Sequence, residues 1–104
     1  MTQLVNNDNF AAETSKGNVL VDFYADWCRY CAMQMPILDQ LTDQDLPGNL
    51  KIVKVNVDES PEIAQKYNIM SIPALVFLKD GQLAGQVVGV HTAEQIKQIA
   101  SEIA

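Results

Sequence analysis

The chain has only two cysteines and one histidine in 104 residues. Structural zinc takes four ligands, chiefly Cys and His. Three such side chains therefore argue against a zinc site built within one chain. No apolar run approaches the roughly 18–20 residues that cross a bilayer, so no transmembrane helix is expected. The opening Met1-Thr2-Gln3-Leu4-Val5-Asn6-Asn7 has neither a basic start nor a long apolar stretch, so it does not read as a secretory signal. Positive charge is scarce too: 7 Lys and Arg stand against 13 Asp and Glu, a formal net charge of -6. That balance argues against nucleic acid and anionic membranes as partners. Linkers, repeats and low-complexity segments are missing, so residues 1–104 are expected to form one domain. A chain of this size buries roughly two-thirds of its unfolded surface and folds without a staple.

The two cysteines that are present lie three residues apart, in Trp27-Cys28-Arg29-Tyr30-Cys31. They stand where a strongly apolar stretch, Val19 to Ala25, hands over to a helical pattern. Cysteines at this spacing in such a place signal a reversible dithiol/disulfide centre. Residues i and i+3 share a helix face, so their sulfurs come within bonding distance. The first sulfur meets the free N–H groups and the positive end of the helix dipole, which favour the attacking thiolate. Without a leader, a lone pair of this kind points to the cytoplasm, where a disulfide is more often catalytic than structural.

Strand and helix patterns alternate. Gln3 to Val5 predicts a short strand, and Asn7 or Asp8 caps a helix to about Ser15, closed by Gly17. Val19 to Ala25 reads as a buried strand. The helix from Cys28 runs to about Asp45, with Ile37, Leu38 and Leu41 inward and Pro36 interrupting and kinking it. Pro47-Gly48-Asn49 is a turn. Lys51 to Val57 alternates as a strand with one buried face. Ser60 caps a helix that has Pro61 in its first turn. Ala74 to Leu78 is a further strand, and Asp80-Gly81 turns it back into Leu83 to Val90. Thr92 and Gln95 cap a last helix carrying Ile96, Ile99 and Ile103. The order is βαβαβαββα.

The run Val21-Asp22-Phe23-Tyr24-Ala25-Asp26-Trp27-Cys28-Arg29-Tyr30-Cys31 resembles the thioredoxin family. So do Pro36, Lys54-Val55-Asn56-Val57-Asp58, Tyr67-Asn68-Ile69-Met70-Ser71-Ile72-Pro73-Ala74 and Val88-Gly89. The resemblance covers the whole chain and implies an α/β thioredoxin fold, a mixed central sheet flanked by helices. It departs from the family at one place: Arg29-Tyr30 stands between the cysteines where Gly-Pro is usual.

Cys28 is expected to be the more exposed sulfur and the nucleophile that forms a mixed disulfide, which Cys31 resolves. Arg29 should favour the Cys28 thiolate and Asp26 oppose it. Asp22 interrupts an apolar strand, where Asp is disfavoured. Periodicity leaves two places for it, an exposed edge or bulge and the interior. The resemblance implies the interior, behind Cys31, where burial raises its pKa and lets it take a proton. The resemblance also places Lys54 near that carboxyl, implies a cis Ile72-Pro73 bond packed against the cysteines, and leaves the Ile72 backbone free to pair with substrate. Gly89 would allow a partner backbone close approach. Trp27, Tyr30, Met70, Ile72 and Val90 would form an apolar rim. Met33 and Met35 read as packing residues and His91 as a surface residue.

The expected activity is thiol–disulfide exchange that reduces protein disulfides, a protein-disulfide reductase that needs no cofactor besides its Cys28–Cys31 pair. Its expected partners are protein disulfide substrates and a thioredoxin reductase-like electron donor, met as a monomer. The alternatives are a disulfide donor or isomerase, or a module binding an iron–sulfur cluster between two chains.

Overall fold

An apolar strand without alternation needs cover on both faces. A computed structural model, describing residues 2–41 and 46–103, shows how that cover is arranged. The elements are β1 (Gln3–Leu4), α1 (Phe10–Thr14), β2 (Asn18–Tyr24), α2 (Arg29–Gln40), a 3₁₀ turn (Pro47–Asn49), β3 (Lys51–Asn56), α3 (Pro61–Lys66), β4 (Ala74–Lys79), β5 (Gln82–Val88) and α4 (Ala93–Ile103). This is the predicted order. The strands make one sheet, β1-β3-β2-β4-β5. β1, β3 and β2 are parallel, and β4 and β5 continue the sheet antiparallel. The sheet is therefore mixed, as the family resemblance implies.

Successive strand residues point to opposite faces, and β2 divides its side chains accordingly. Val19, Val21 and Phe23 pack with Phe10 of α1 and with Ile63 and Ala64 of α3. Leu20 packs with Leu38 of α2 and with Ile96 and Ala100 of α4. Each fully buried aliphatic or aromatic side chain here contributes roughly 1.5–3 kcal/mol relative to exposure. Asp22 shares the parity of Leu20, so it points into the layer under α2.

Several predicted details need correction. α1 is not capped by Asn7 or Asp8. Asn9 holds the cap position without a side-chain capping bond, its Oδ1 accepting Asn6 N–H instead, and Asn6 Oδ1 accepts the N–H groups of Asp8 and Asn9. Ser60 does hold the cap position of α3, but it makes no capping bond and is buried. The Asn56 side chain accepts from Asp58 and Glu59 N–H instead. β3 is covered on both faces: Ile52 packs into the α2/α4 core and Asn56 is buried. α2 runs unbroken through Pro36, whose ring is at the exposed surface, and ends at Gln40, with Leu41 extended and buried. The rest of the predicted helix, 42–45, lies outside the described residues. The reciprocal cap of α4 is as predicted: Thr92 Oγ1 accepts Gln95 N–H at 3.2 Å, and Gln95 Oε1 accepts Thr92 N–H at 2.9 Å. Asp80 and Gly81 both adopt positive φ, 49° and 81°, the geometry a two-residue hairpin loop requires.

Candidate active site

The site forms where β2 ends and α2 begins. Cys28 N–H donates to Ala25 O at 3.2 Å, which folds the chain back after the strand. Cys28 keeps an extended backbone (φ -87°, ψ 111°) and is the N-cap of α2. Its Sγ takes the role that a Ser or Asp oxygen has in ordinary caps and accepts Cys31 N–H at 3.2 Å. The two sulfurs are joined in a disulfide, with Cα atoms 5.2 Å apart. Cys28 is 7% exposed and Cys31 1%, in the order expected.

A second segment faces the disulfide from the other half of the sheet. The Ile72-Pro73 bond is cis, as the resemblance implies. Ile72 O lies 3.8 Å from Cys28 Sγ. Gly89 N–H donates to Pro73 O at 2.8 Å, which ties the end of β5 to the start of β4. Gly89 has φ +94°, and open space surrounds the position a Cβ would take. Its freedom is thus used for backbone direction, and the side facing it is clear.

Around this centre Trp27, Tyr30 and Met70 are exposed, Met70 at 92%. Ile72 and Val90 are half-buried. Trp27 is nevertheless fixed, because its Nε1–H donates to Asp58 Oδ2 at 2.8 Å. A groove of about 170 Å³ runs between Trp27, Val57, Ile69, Met70, Ser71 and Ile72. Arg29 and Asp26 are both exposed beside the cysteines. Met33 is not a packing residue. It is 53% exposed on the outer face of α2, whereas Met35 is half-buried.

On β2, Asp22 is fully buried, which rules out the exposed edge or bulge. Among the described residues neither of its carboxylate oxygens has a protein hydrogen-bond partner. Burial pushes its pKa from 3.8 up to about 7; the positive charge of Lys54 restrains that rise and Asp39 adds to it. Lys54 is the cross-strand neighbour of Asp22, and its Nζ sits 5.6 Å over the Tyr24 ring. Lys54 also lines a cavity of about 270 Å³ together with Cys28, Cys31, Tyr24, Asp26 and Met35.

His91, expected at the surface, is only partly there. It is half-buried, and its backbone is held by Gln34. Gln34 and Asp58 were not singled out from sequence. Gln34 had a signal, since it occupies an inward position between Cys31 and Leu38 where the helical period calls for an apolar side chain. Asp58 has no signal beyond its place in the Lys54–Asp58 run, because a surface Asp after a strand is ordinary.

The thioredoxin family model matches residues 1–102. The chain is 46% identical over 96 residues to a protein of Bacillus subtilis (strain 168) named "Thioredoxin", covering 92% of this chain and 91% of that one. It is 38% identical over 102 residues to a "Thioredoxin" of Chlamydia trachomatis, and 36% over 102 residues to one of Listeria monocytogenes. Each of those alignments covers 98% of both chains.

Proposed function

The chain belongs to the thioredoxin family and is a thiol–disulfide oxidoreductase. From that premise we propose a reaction in which Cys28 attacks and Cys31 resolves. The observation that carries it is the placement of Cys28 Sγ at the N-terminus of α2, in contact with Cys31 N–H and near Ile72 O. In the reduced protein a thiolate at that position gains from the N–H and from the helix dipole. It attacks one sulfur of a substrate disulfide, and the other sulfur leaves as a thiolate that takes up a proton. An extended substrate segment pairs with the Ile72 backbone, approaches over Gly89 and rests on Trp27, Tyr30, Arg29 and Met70.

Cys31, as thiolate, then attacks Cys28 Sγ and expels the second substrate thiol. Asp22 accepts the Cys31 proton, since a carboxyl titrating near 7 is matched to neutral pH. Lys54 keeps the pKa of that carboxyl from rising further, and it lines the cavity that reaches both cysteines. Two electrons from a reductase-like donor reopen Cys28–Cys31, so the dithiol is the whole redox equipment and no further cofactor enters. The protein acts as one domain, residues 1–104, and as a monomer in the cytoplasm. No described helix is long and apolar enough to cross a membrane.

The decisive experiment is reduction of insulin by the reduced chain. Insulin disulfides should open as Cys28–Cys31 forms, in equal amounts. Intact insulin after mixing would refute the reading.

Arg29 and Tyr30 favour a second shade of this reading, a more oxidising centre than Gly-Pro would give. An exposed cation beside Cys28 stabilises the reduced thiolate by what surface charge pairs supply, which raises the potential by about 10–20 mV. Tyr30 also lacks the ring that would stiffen the loop between the sulfurs. Arg29→Gly combined with Tyr30→Pro should lower the potential by tens of millivolts, roughly, with the fold unchanged. Equilibration against glutathione measures this. An equal or higher potential would assign Arg29-Tyr30 to partner choice instead.

A further inference from the structure

Three buried side chains anchor α2 to the core, Cys31, Gln34 and Leu38, and only Gln34 is an amide. Gln34 is completely buried. It lies one turn after Cys31 on the same helix face. An amide in that position is costly unless both of its ends are bonded. Both ends are bonded, and to a single residue. Gln34 Oε1 accepts His91 N–H at 2.7 Å, and Gln34 Nε2 donates to His91 O at 3.0 Å.

From His91 the contacts continue toward the disulfide. His91 Nδ1 lies 2.8 Å from Gly89 O. Gly89 N–H donates to Pro73 O at 2.8 Å. The preceding carbonyl, Ile72 O, stands 3.8 Å from Cys28 Sγ. The contacts thus form a ring that begins at Gln34 on α2 and returns to the same helix at Cys28. No strand ladder joins α2 to the β4/β5 half. Apolar packing between them is non-directional, whereas two bonds of opposite sense fix register, as single polar residues in helical cores do.

We propose that the Gln34–His91 clasp is a positioning device. It holds the backbone of Ile72 and Gly89 at a set distance over Cys28, and so governs the affinity for extended protein segments and not the reactivity of the sulfur. This rests on the docking of substrate at Ile72 and Gly89 proposed above.

The test is single-turnover oxidation of the reduced chain by insulin and by a small aromatic disulfide that needs no docking. Gln34→Met keeps the length of the side chain and removes both bonds. The half-saturating insulin concentration should rise about tenfold, the change that loss of one net hydrogen bond produces. The limiting rate, the rate with the small disulfide and the reduction potential should stay as they are. A parallel fall with both substrates, or an unchanged half-saturation, overturns the clasp.

If Gln34→Met does not fold, His91→Ala decides. It removes only the ring contact to Gly89 O, from a half-buried position, and should give a rise of the same kind, about threefold. No rise there overturns the proposal as well. An unmodified chain that opens the small disulfide but never saturates with insulin would overturn the docking reading, and the role of the clasp with it.

Discussion

Cys31→Ser is expected to hold an insulin chain covalently on Cys28, and Cys28→Ser to lose insulin reduction altogether. The two sulfurs differ in setting. Cys28 is the cap of α2, the more exposed of the pair, and 3.8 Å from the Ile72 carbonyl on the opposing segment. Cys31 is 1% exposed and lies within the first turn. In the proposed order of attack a substrate disulfide reaches the first sulfur and not the second. With serine at 31, attack by Cys28 proceeds but nothing expels the remaining substrate thiol, so the mixed disulfide accumulates. Mass spectrometry of the unreduced mixture locates the adduct. An adduct on Cys31 in the Cys28→Ser protein, with none on Cys28 in the Cys31→Ser protein, would exchange the two roles.

Asp22→Asn should stabilise the oxidised protein strongly at alkaline pH and hardly at all in acid. A carboxyl with a pKa of 3.8 in the unfolded chain and about 7 in the fold binds its proton more tightly when folded. Its contribution to stability is therefore complete below pH 3.8 and is lost as pH rises through 7. Once both states are ionised the loss reaches about 4 kcal/mol. The asparagine cannot ionise, so the stability gap between variant and parent should be about 4 kcal/mol wider at pH 8 than at pH 4. Denaturant titrations at the two pH values measure that difference. The same variant lacks the proposed proton acceptor for Cys31, so release of substrate from the mixed disulfide should slow by about 10²-fold near neutral pH, while the first attack continues. A gap that does not widen with pH would show that Asp22 is not buried as a free carboxyl. Unchanged release would remove it from the proton path.

Element order and the disulfide centre could be read from the sequence because both rest on local signals. The apolar run into β2, the cysteine spacing, Asp80-Gly81 and the Thr92/Gln95 cap each act within a few residues. Asp22 could not be placed that way. Its strand is apolar on both sides, and only the sheet order shows that β2 is central, with β3 and β4 on either side. The cap errors at Asn7 and Ser60 have one cause. Asn6 and Asn56 reach forward to bond N–H groups two and three residues on, and such Asx turns compete with the helix cap for the same kind of side chain. The Gln34–His91 contact joins α2 to the segment after β5; the helical period marks Gln34 as a polar residue at an inward position, but nothing local names His91 as its partner.

The strand that leads into the cysteines finds all its partners far downstream: Val19 pairs with Lys51, and Phe23 with Ala74. Sheets assembled from such distant pairings form late and slowly. A bond between Cys28 and Cys31 spans one helical turn and needs no sheet to close. In an oxidising refolding buffer this pair can therefore close before residues 72–91 have joined the sheet. Disulfide content is then a poor gauge of whether a recombinant batch has refolded. Turnover of a protein substrate, which the proposed docking at Ile72 and Gly89 makes dependent on both halves of the sheet, is the measure that reports it.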